Sequence, residues 1–448
     1  MTDSPFAARR ARLAERFAGP ALVFAGAPSP RNYPANPHHP FRASSHFLYL
    51  VGRPLAGGVL RLEGGEATLH LPPPPPGDAL WHGETPSFDA LGEALGLPVR
   101  SLDALEVPPD AATIPAPDLA TRLAQEARLA RPLAPPTEAD LALQDALIAL
   151  RLIHDAHAQA ELRRAAEATV AAHRAGMAAT HPGATEAAVH GAMVGALLAR
   201  GATTAYPPIL SVRGEVLHNP HHDGTCAAGD LLLADVGAET AGGWAGDVTR
   251  TWPVSGAYSS TQRAVYEIVL AAQREAIALC RPGVRYRDVH LAASRALAAG
   301  LVDLGVLRGD PEELVADGVH ALLFPHGVGH LIGLDVHDME DLGDRAGYAP
   351  GRSRSAQFGL GYLRLDRDLA PGMAVTIEPG FYRVPAILED PELAAVAGDR
   401  LDRAELAKLA DVRGVRIEDD VLITEGEPEV LTAALEKEPD AVEGCVGG

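Results

Sequence analysis

The sequence predicts two domains, an α/β unit over residues 1–135 and an α+β unit over 136–448 built on an internal repeat. Three observations predict this. A length of 448 residues suits two hydrophobic cores better than one. The proline-rich stretch ARPLAPPTEAD at 130–140 separates short apolar runs from strongly helical sequence. Finally, HPGATEAAVH at 181–190 and RPGVRYRDVH at 281–290 match at Pro182/Pro282, Gly183/Gly283, Val189/Val289 and His190/His290, an offset of 281 − 181 = 100. Helical sequence precedes and follows both phrases, which indicates a duplicated α+β unit with a pseudo-twofold repeat. His190 and His290 read as helix-packing residues.

In the first unit the apolar runs ALVFAG, FLYLVG and GGVLRL alternate with Gly and Pro breaks, as in mixed α/β structure. The tract within LPPPPPGDALWHGE reads as a stiff surface loop, because proline removes a ladder donor. Beyond residue 136, ELRRAAEATVAAHRAGMAAT and TQRAVYEIVLAAQREAIALC carry apolar residues at helical spacing. In the second, Val265, Ile268, Val269 and Ala272 form one stripe, and Ser259 with Gln262 forms a capping box.

Composition excludes several classes of function. Net charge is 38 − 59 = −21 with no basic stretch, which argues against nucleic acid as a partner. No apolar run approaches the roughly 18–20 residues that span a bilayer. The start, MTDSPFAARRARLAERFAG, has no apolar core ahead of a cleavage site, so the expected location is the cytoplasm. Cys226, Cys280 and Cys445 are widely spaced and form no CxxC, in keeping with a reducing compartment.

Acidic residues carry the strongest chemical signal. Asp235 and Asp247 lie in DLLLADVGAETAGGWAGDVTRTW, 247 − 235 = 12 apart, on either side of a Gly-rich turn whose midpoint is residue 241. In a hairpin symmetric about that turn the two carboxylates stand directly opposite each other, which destabilises a sheet unless compensated. A shared cation is the simplest compensation; a solvated turn aspartate is the alternative. Glu378 ends the apolar run of MAVTIEPGFY. In GVRIEDDVLIT, alternation turns Arg416, Glu418 and Asp420 to one side and Val415 and Ile417 to the other. Four acids at strand ends plus one histidine make a carboxylate-rich metal site; structural salt bridges explain Glu418 beside Arg416 but not all four acids.

HGVGHLIGLDVHD at 326–338 spaces His326 and His330 as a zinc-binding helix does. Gly327 and Gly329 disfavour that helix, each costing about 1 kcal/mol relative to Ala, and no HExxH glutamate is present. In an extended chain the two residues still share a face, because their separation is even.

Taken together, LHNP, DVGAETAGGWAGDVTRTWPVSG, HGVGHLIGLDVHD, TIEPGFY and GVRIEDDVLIT resemble the Xaa-Pro peptidases, aminopeptidase P and prolidase, over nearly the whole chain. PFRASSHFLYLVG and ALWHGE resemble phrases of the same family's amino-terminal domain. The resemblance implies an α/β amino-terminal creatinase-like domain followed by an α+β pita-bread catalytic domain. It implies Asp235, Asp247, His330, Glu378 and Glu418 as ligands of two divalent ions, with Asp247 and Glu418 bridging, Asp235 completing one site, and His330 with Glu378 completing the other. One imidazole and four carboxylates favour Mn²⁺, with Co²⁺ or Zn²⁺ as alternatives. Two such ions can activate water and steady an oxyanion, as in other two-metal aminopeptidases.

The same resemblance assigns His218, His326 and His337 to the substrate side, as hydrogen-bond donors to the scissile carbonyl or tetrahedral intermediate. Glu378 would shuttle a proton to the leaving prolyl nitrogen. Arg416 would neutralise the acids and orient a ligand carboxylate. Arg364 in GYLRLDRDLAPGM falls where prolidases have an arginine that reads a dipeptide's terminal carboxylate; a surface arginine near Asp366 and Asp368 is the plain alternative. His221 and His222 read as solvent-facing. The expected substrates are short peptides with proline second, and a homodimer is common in the family. Departures are an Asp235–Asp247 spacing one residue longer than usual, suggesting a bulge, and long intervals of 378 − 330 = 48 and 418 − 378 = 40. Those intervals look more like prolidase, so a dipeptidase remains the alternative to an aminopeptidase. A creatinase-like or silent member of the fold would have no reason to keep all five ligands, and methionine aminopeptidases normally lack the amino-terminal domain.

Overall fold

The computed structural model describes residues 4–33, 36–37 and 40–447. Contacts divide the chain into two compact units, Met1–Leu152 and Ile153–Gly448. The first holds a mixed five-stranded sheet in the order Val99–Ser101, Glu66–Leu71, Val59–Glu63, Ala21–Phe24, Ala112–Thr113. Its central pairs are antiparallel and its two outer pairs parallel. ALVFAG and GGVLRL supply sheet strands, whereas FLYLVG lies in the helix Ser45–Val51, every residue of which is buried. The Ser44 hydroxyl accepts from the Phe47 amide at its start, and Gly52 at φ 80° ends it, so capping chemistry overrides an apolar run that periodicity cannot classify. The proline tract at 72–76 is exposed, as expected.

Helix Glu138–Arg151 belongs to this first unit. Its capping-box residue Asp140 accepts from the Thr113 amide (2.8 Å), and Leu150 O accepts from the Tyr49 hydroxyl (3.3 Å). The division therefore falls at 152/153, one helix later than the boundary read at 135/136.

In the second unit the repeat is visible atom by atom. Helices Ala156–Ala179 and Glu186–Leu198 form one pair, Ser260–Ala278 and Tyr286–Asp303 the other. The Gly183 amide donates to Cys226 O, and the Gly283 amide to Leu369 O, both at 2.8 Å. Thr185 bridges Thr225 where Arg285 bridges Asp368, and the Glu186 and Tyr286 amides reach Gly224 O and Arg367 O. These partners differ by 369 − 226 = 143, which carries Leu231–Asp235 onto residues 374–378 and so makes Asp235 and Glu378 counterparts. Each helix pair thus delivers one strand whose last residue is an acid. The Ser259/Gln262 capping box is present, and Val265, Val269 and Ala272 are buried with Ile268 partly so. His290 is buried beside Phe324, while His190 stacks on His222 at 4.1 Å; His222 is therefore partly buried rather than solvent-facing, and His221 is exposed. Among the described residues no helix is long and apolar enough to cross a membrane.

Behind the acids runs an ion network in which Arg250 and Asp419 are fully buried and Lys437 partly so. Arg250 donates to Asp419 Oδ1 (2.7 Å) and Glu418 O (2.5 Å), and Lys437 donates to Asp419 Oδ2 (2.7 Å). Burial pushes the Asp419 carboxyl up, but Arg250 and Lys437 outweigh it and hold the carboxyl below its usual range. Arg250→Met would leave that carboxylate buried with half its compensation, at a cost of about 3–5 kcal/mol. The expected result is a clear fall in the urea midpoint read by tryptophan fluorescence; an unchanged midpoint would show the network to be dispensable.

Candidate active site

Strands Leu231–Asp235 and Thr249–Pro253 pair antiparallel, with Asp235 opposite Thr249. The same register runs on through Glu239↔Ala245, so the hairpin is centred on residue 242 and carries no bulge. Asp247 therefore lies diagonal to Asp235, two residues along from Thr249, rather than directly opposite as the symmetric-turn argument expected. Parity still holds: residues two apart on a strand share a face, so Asp235, Asp247 and Thr249 point the same way. The Tyr206 hydroxyl contacts both acids, at 2.6 Å from Asp235 Oδ1 and 2.5 Å from Asp247 Oδ1. A phenol has one proton, so it cannot satisfy two ionised carboxylates at once.

The second hairpin pairs Ala374–Ile377 with Asp419–Leu422 in a register that, extended by one pair, sets Glu378 across from Glu418. Arg416 comes from the strand Gly414–Arg416, which pairs with Gly380–Tyr382 instead. GVRIEDDVLIT is therefore two short strands rather than one alternating strand. Arg416 donates to Asp235 Oδ2 (2.5 Å), Thr249 Oγ1 (2.8 Å) and the Tyr382 oxygen (3.0 Å), so its carboxylate partner is Asp235 and not Glu418. Glu418 accepts from the Thr249 hydroxyl at 2.7 Å.

HGVGHLIGLDVHD forms no helix. Residues 328–332 run beside the strand Ala374–Ile377, with the Glu378 amide bonded to Val328 O and the Thr376 amide to His330 O. A Cβ on Gly329 would stand 2.1 Å from Thr376 O, so only glycine allows this approach. His326 and His330 consequently flank Glu378, with ring nitrogens 3.6 and 3.7 Å from its two oxygens.

These donors fit a cation. His330 Nδ1 donates to Leu331 O (3.0 Å), which leaves Nε2 a lone pair facing Asp247 Oδ2 at 3.4 Å and Glu378 Oε1. Burial holds His330 neutral, so these separations are acceptors converging rather than ion pairs. Ligand atoms of Asp247, His330 and Glu418 all lie within 4.8 Å of one another. Burial, then Asp235, raises Asp247 to about 8; burial, then Asp247, lifts Glu418 well above the carboxylate range; and burial raises Glu378 to about 7 against the pull of His330 and Arg416. Four carboxylates face Arg416, 1 − 4 = −3, and Arg364, the other arginine of the lining, is already paired with Glu340, so the ionised set needs further positive charge.

Every residue singled out from the sequence lines one cavity of roughly 450 Å³: the five ligand candidates, Arg416, His218, His326, His337 and Arg364. The rest of its lining is largely apolar, with Leu217, Pro325, Phe358, Tyr362, Val384 and Ile387. Both ring nitrogens of His326 are engaged, Nδ1 with Gly327 O (2.8 Å) and Nε2 with the Tyr382 hydroxyl (2.9 Å), so donation to a substrate would require one bond to open. Burial, then Arg416, lowers His326 to about 3 and depresses His218; burial and His330 lower His337. Arg364 pairs with Glu340, not with Asp366 or Asp368, whose partners include Arg285 and Arg352. The sequence reading missed Tyr206, Tyr382, Thr249 and Glu340. Thr249 was recoverable, two residues beyond Asp247 on one strand; nothing local marks Tyr206.

Residues 160–425 match the model of metallopeptidase family M24, and residues 6–107 match that of the aminopeptidase P N-terminal domain. The chain is 34% identical, over 98% of its length and 90% of the relative's, to Xaa-Pro aminopeptidase 2 of Streptomyces coelicolor. The structure of Pseudomonas aeruginosa aminopeptidase PepP superposes with a TM-score of 0.80 at 29% identity, covering 99% of this chain and 98% of that one. Proline aminopeptidase P II from Yersinia pestis gives 0.80 at 31% identity, covering 99% of each chain. The site geometry and these likenesses agree, and the chain belongs to metallopeptidase family M24, with an aminopeptidase P amino-terminal domain.

Proposed function

We propose that the protein is an Xaa-Pro aminopeptidase, hydrolysing the bond between an amino-terminal residue and a following proline in short peptides. The observation that carries this reading is a single cavity whose lining brings four carboxylates and a neutral imidazole together with apolar side chains. Asp235, Asp247, His330, Glu378 and Glu418 would hold two divalent ions, and this oxygen-rich donor set suits Mn²⁺. When bound, such ions polarise water and the scissile carbonyl and offset the charge that develops in the transition state.

The chain's own groups then do the following. Arg416, tied to Asp235, fixes that carboxylate and draws off part of the acid cluster's charge. Glu378 takes the proton released by the attacking water and returns it to the prolyl nitrogen, which leaves as a neutral amine. The apolar wall of Phe358, Tyr362, Val384 and Ile387 suits a pyrrolidine ring and helps exclude water. His218 and His337 bind the carbonyl side of the substrate. Arg364 supports the dipeptidase alternative, since an arginine at the cavity could read a terminal carboxylate.

Turnover of an Xaa-Pro-Yaa tripeptide with Mn²⁺, against an Xaa-Ala-Yaa control, tests the reading; cleavage of neither peptide, or of both equally, overturns it. Asp235→Asn is expected to lower kcat/KM by about 100-fold or more and to reduce bound metal in elemental analysis. Wild-type activity with no metal in either form would defeat the metallopeptidase mechanism.

Stability should also depend on pH in a way that metal changes. Asp247 and Glu378 are raised above their unfolded values, so the folded state retains protons that the unfolded state has lost, and stability falls as pH rises toward 7–8. His173, His290, His320 and His326, lowered by burial to between about 3 and 4, act in the opposite sense and cost stability only below the unfolded pKa of about 6.5. Between pH 6.5 and 8 the carboxylates act alone. Metal-stripped protein should therefore melt lower at pH 8 than at pH 6.5, and the rise in Tm on adding Mn²⁺ should be larger at pH 8. An equal rise at both values would contradict this account of the acids.

A further inference from the structure

Glu340, itself exposed, is a partner to two residues of the cavity. Its Oε1 accepts from Arg364 Nη1, and its Oε2 from His337 Nδ1 at 3.0 Å. Arg364 and His337 line the main cavity; Glu340 lines a separate side chamber of about 220 Å³ that shares them. The guanidinium that faces the main cavity is thus already paired with a carboxylate of the neighbouring chamber. Met339, just before it, is buried and held at φ 61°, a left-handed conformation that a non-glycine residue keeps only where the surroundings enforce it.

We propose that Glu340 sets substrate length by neutralising Arg364, so that the cavity favours an uncharged carbonyl after the proline over a free carboxylate. The inference rests on the Xaa-Pro reading above. A lone guanidinium attracts a terminal carboxylate; one already paired still offers N–H donors to a neutral carbonyl but brings a second carboxylate toward any free acid. Glu340 also fixes His337, since an ionised carboxylate only accepts and so keeps the ring proton on Nδ1.

The cleanest probe is a pair of substrates of equal length, Xaa-Pro with a free carboxylate and the same dipeptide as its carboxamide. Wild type should favour the amide. Glu340→Gln keeps an acceptor for His337 but removes the charge, and should shift the kcat/KM ratio toward the free acid by about tenfold, mainly through KM. Glu340→Asp should retain the wild-type preference. Arg364→Gln, which leaves the Glu340 carboxylate with no cation beside it, should move the ratio the opposite way, toward the amide. A purely structural role would change both substrates alike. A ratio unmoved by Glu340→Gln in protein that cleaves both substrates, or a wild-type preference for the free acid, overturns the inference. Failure of every form to cleave either dipeptide or an Xaa-Pro-Yaa tripeptide is a different result, and brings down the Xaa-Pro reading together with it.

Discussion

Four carboxylates gathered around the Arg416 guanidinium, Asp247 and Glu418 buried and Asp235 and Glu378 half-buried, are the constraint on which the second unit depends. Burying even one unpaired charge is costly, and the desolvation of several together exceeds what hydrogen bonds alone return. The surrounding structure answers that problem at short range. Arg416 braces Asp235, Tyr206 spans Asp235 and Asp247, Thr249 links Glu418 to Arg416, and the Asp420 carboxylate accepts from the Asp247 amide. None of these contacts removes the excess negative charge. A site held this rigidly, yet short of positive charge, is preorganised for cations, because little reorganisation remains when they arrive.

Much of this was legible in the sequence because alternation and parity are robust. A two-residue period carries a side chain to one face whatever the turn geometry, so Asp235 and Asp247 belong together even though the hairpin is centred one residue away from the expected midpoint. The even separation of His326 and His330 likewise survives the loss of the helix reading. Register and strand breaks were not legible. Nothing local says that the strand in GVRIEDDVLIT breaks at Ile417 and Glu418, where Pro379 interrupts the facing segment while the register carries on unchanged. FLYLVG misled for a related reason: a short, wholly apolar run suits a buried helix or a buried strand, and Ser44 and Gly52 at its ends decide. Tyr206 acts on Asp235 and Asp247, and Glu340 on Arg364, across sequence separations where composition and spacing carry no signal.

The histidines divide by their surroundings rather than by their spacing. Burial keeps His326 and His330 neutral, and in each the bond made by one ring nitrogen decides what the other can do. His330 gives Nδ1–H to a backbone carbonyl and so turns a lone pair toward the acids. His326 spends one nitrogen on Gly327 O and the other on Tyr382, whose hydroxyl oxygen also accepts from Arg416. The same residue type thus serves as a ligand candidate at one position and as a brace for the cavity floor at the other, four residues apart.

Duplication explains why the acids converge, and departure from symmetry explains how they interlock. The 143-residue relation makes Asp235 and Glu378 counterparts at the ends of equivalent strands. Their partners are not counterparts: Thr249 stands opposite Asp235, whereas the extended register sets Glu418 opposite Glu378. One half therefore offers a diagonal acid pair and the other a facing pair, and the Glu418 amide bonds to Thr249 O across the two. A symmetric arrangement would have put like charges directly opposite each other in both hairpins. Displacing Asp247 by two residues keeps it on the shared face, opens room between the carboxylates, and brings it within reach of His330, which no residue of the first half could supply.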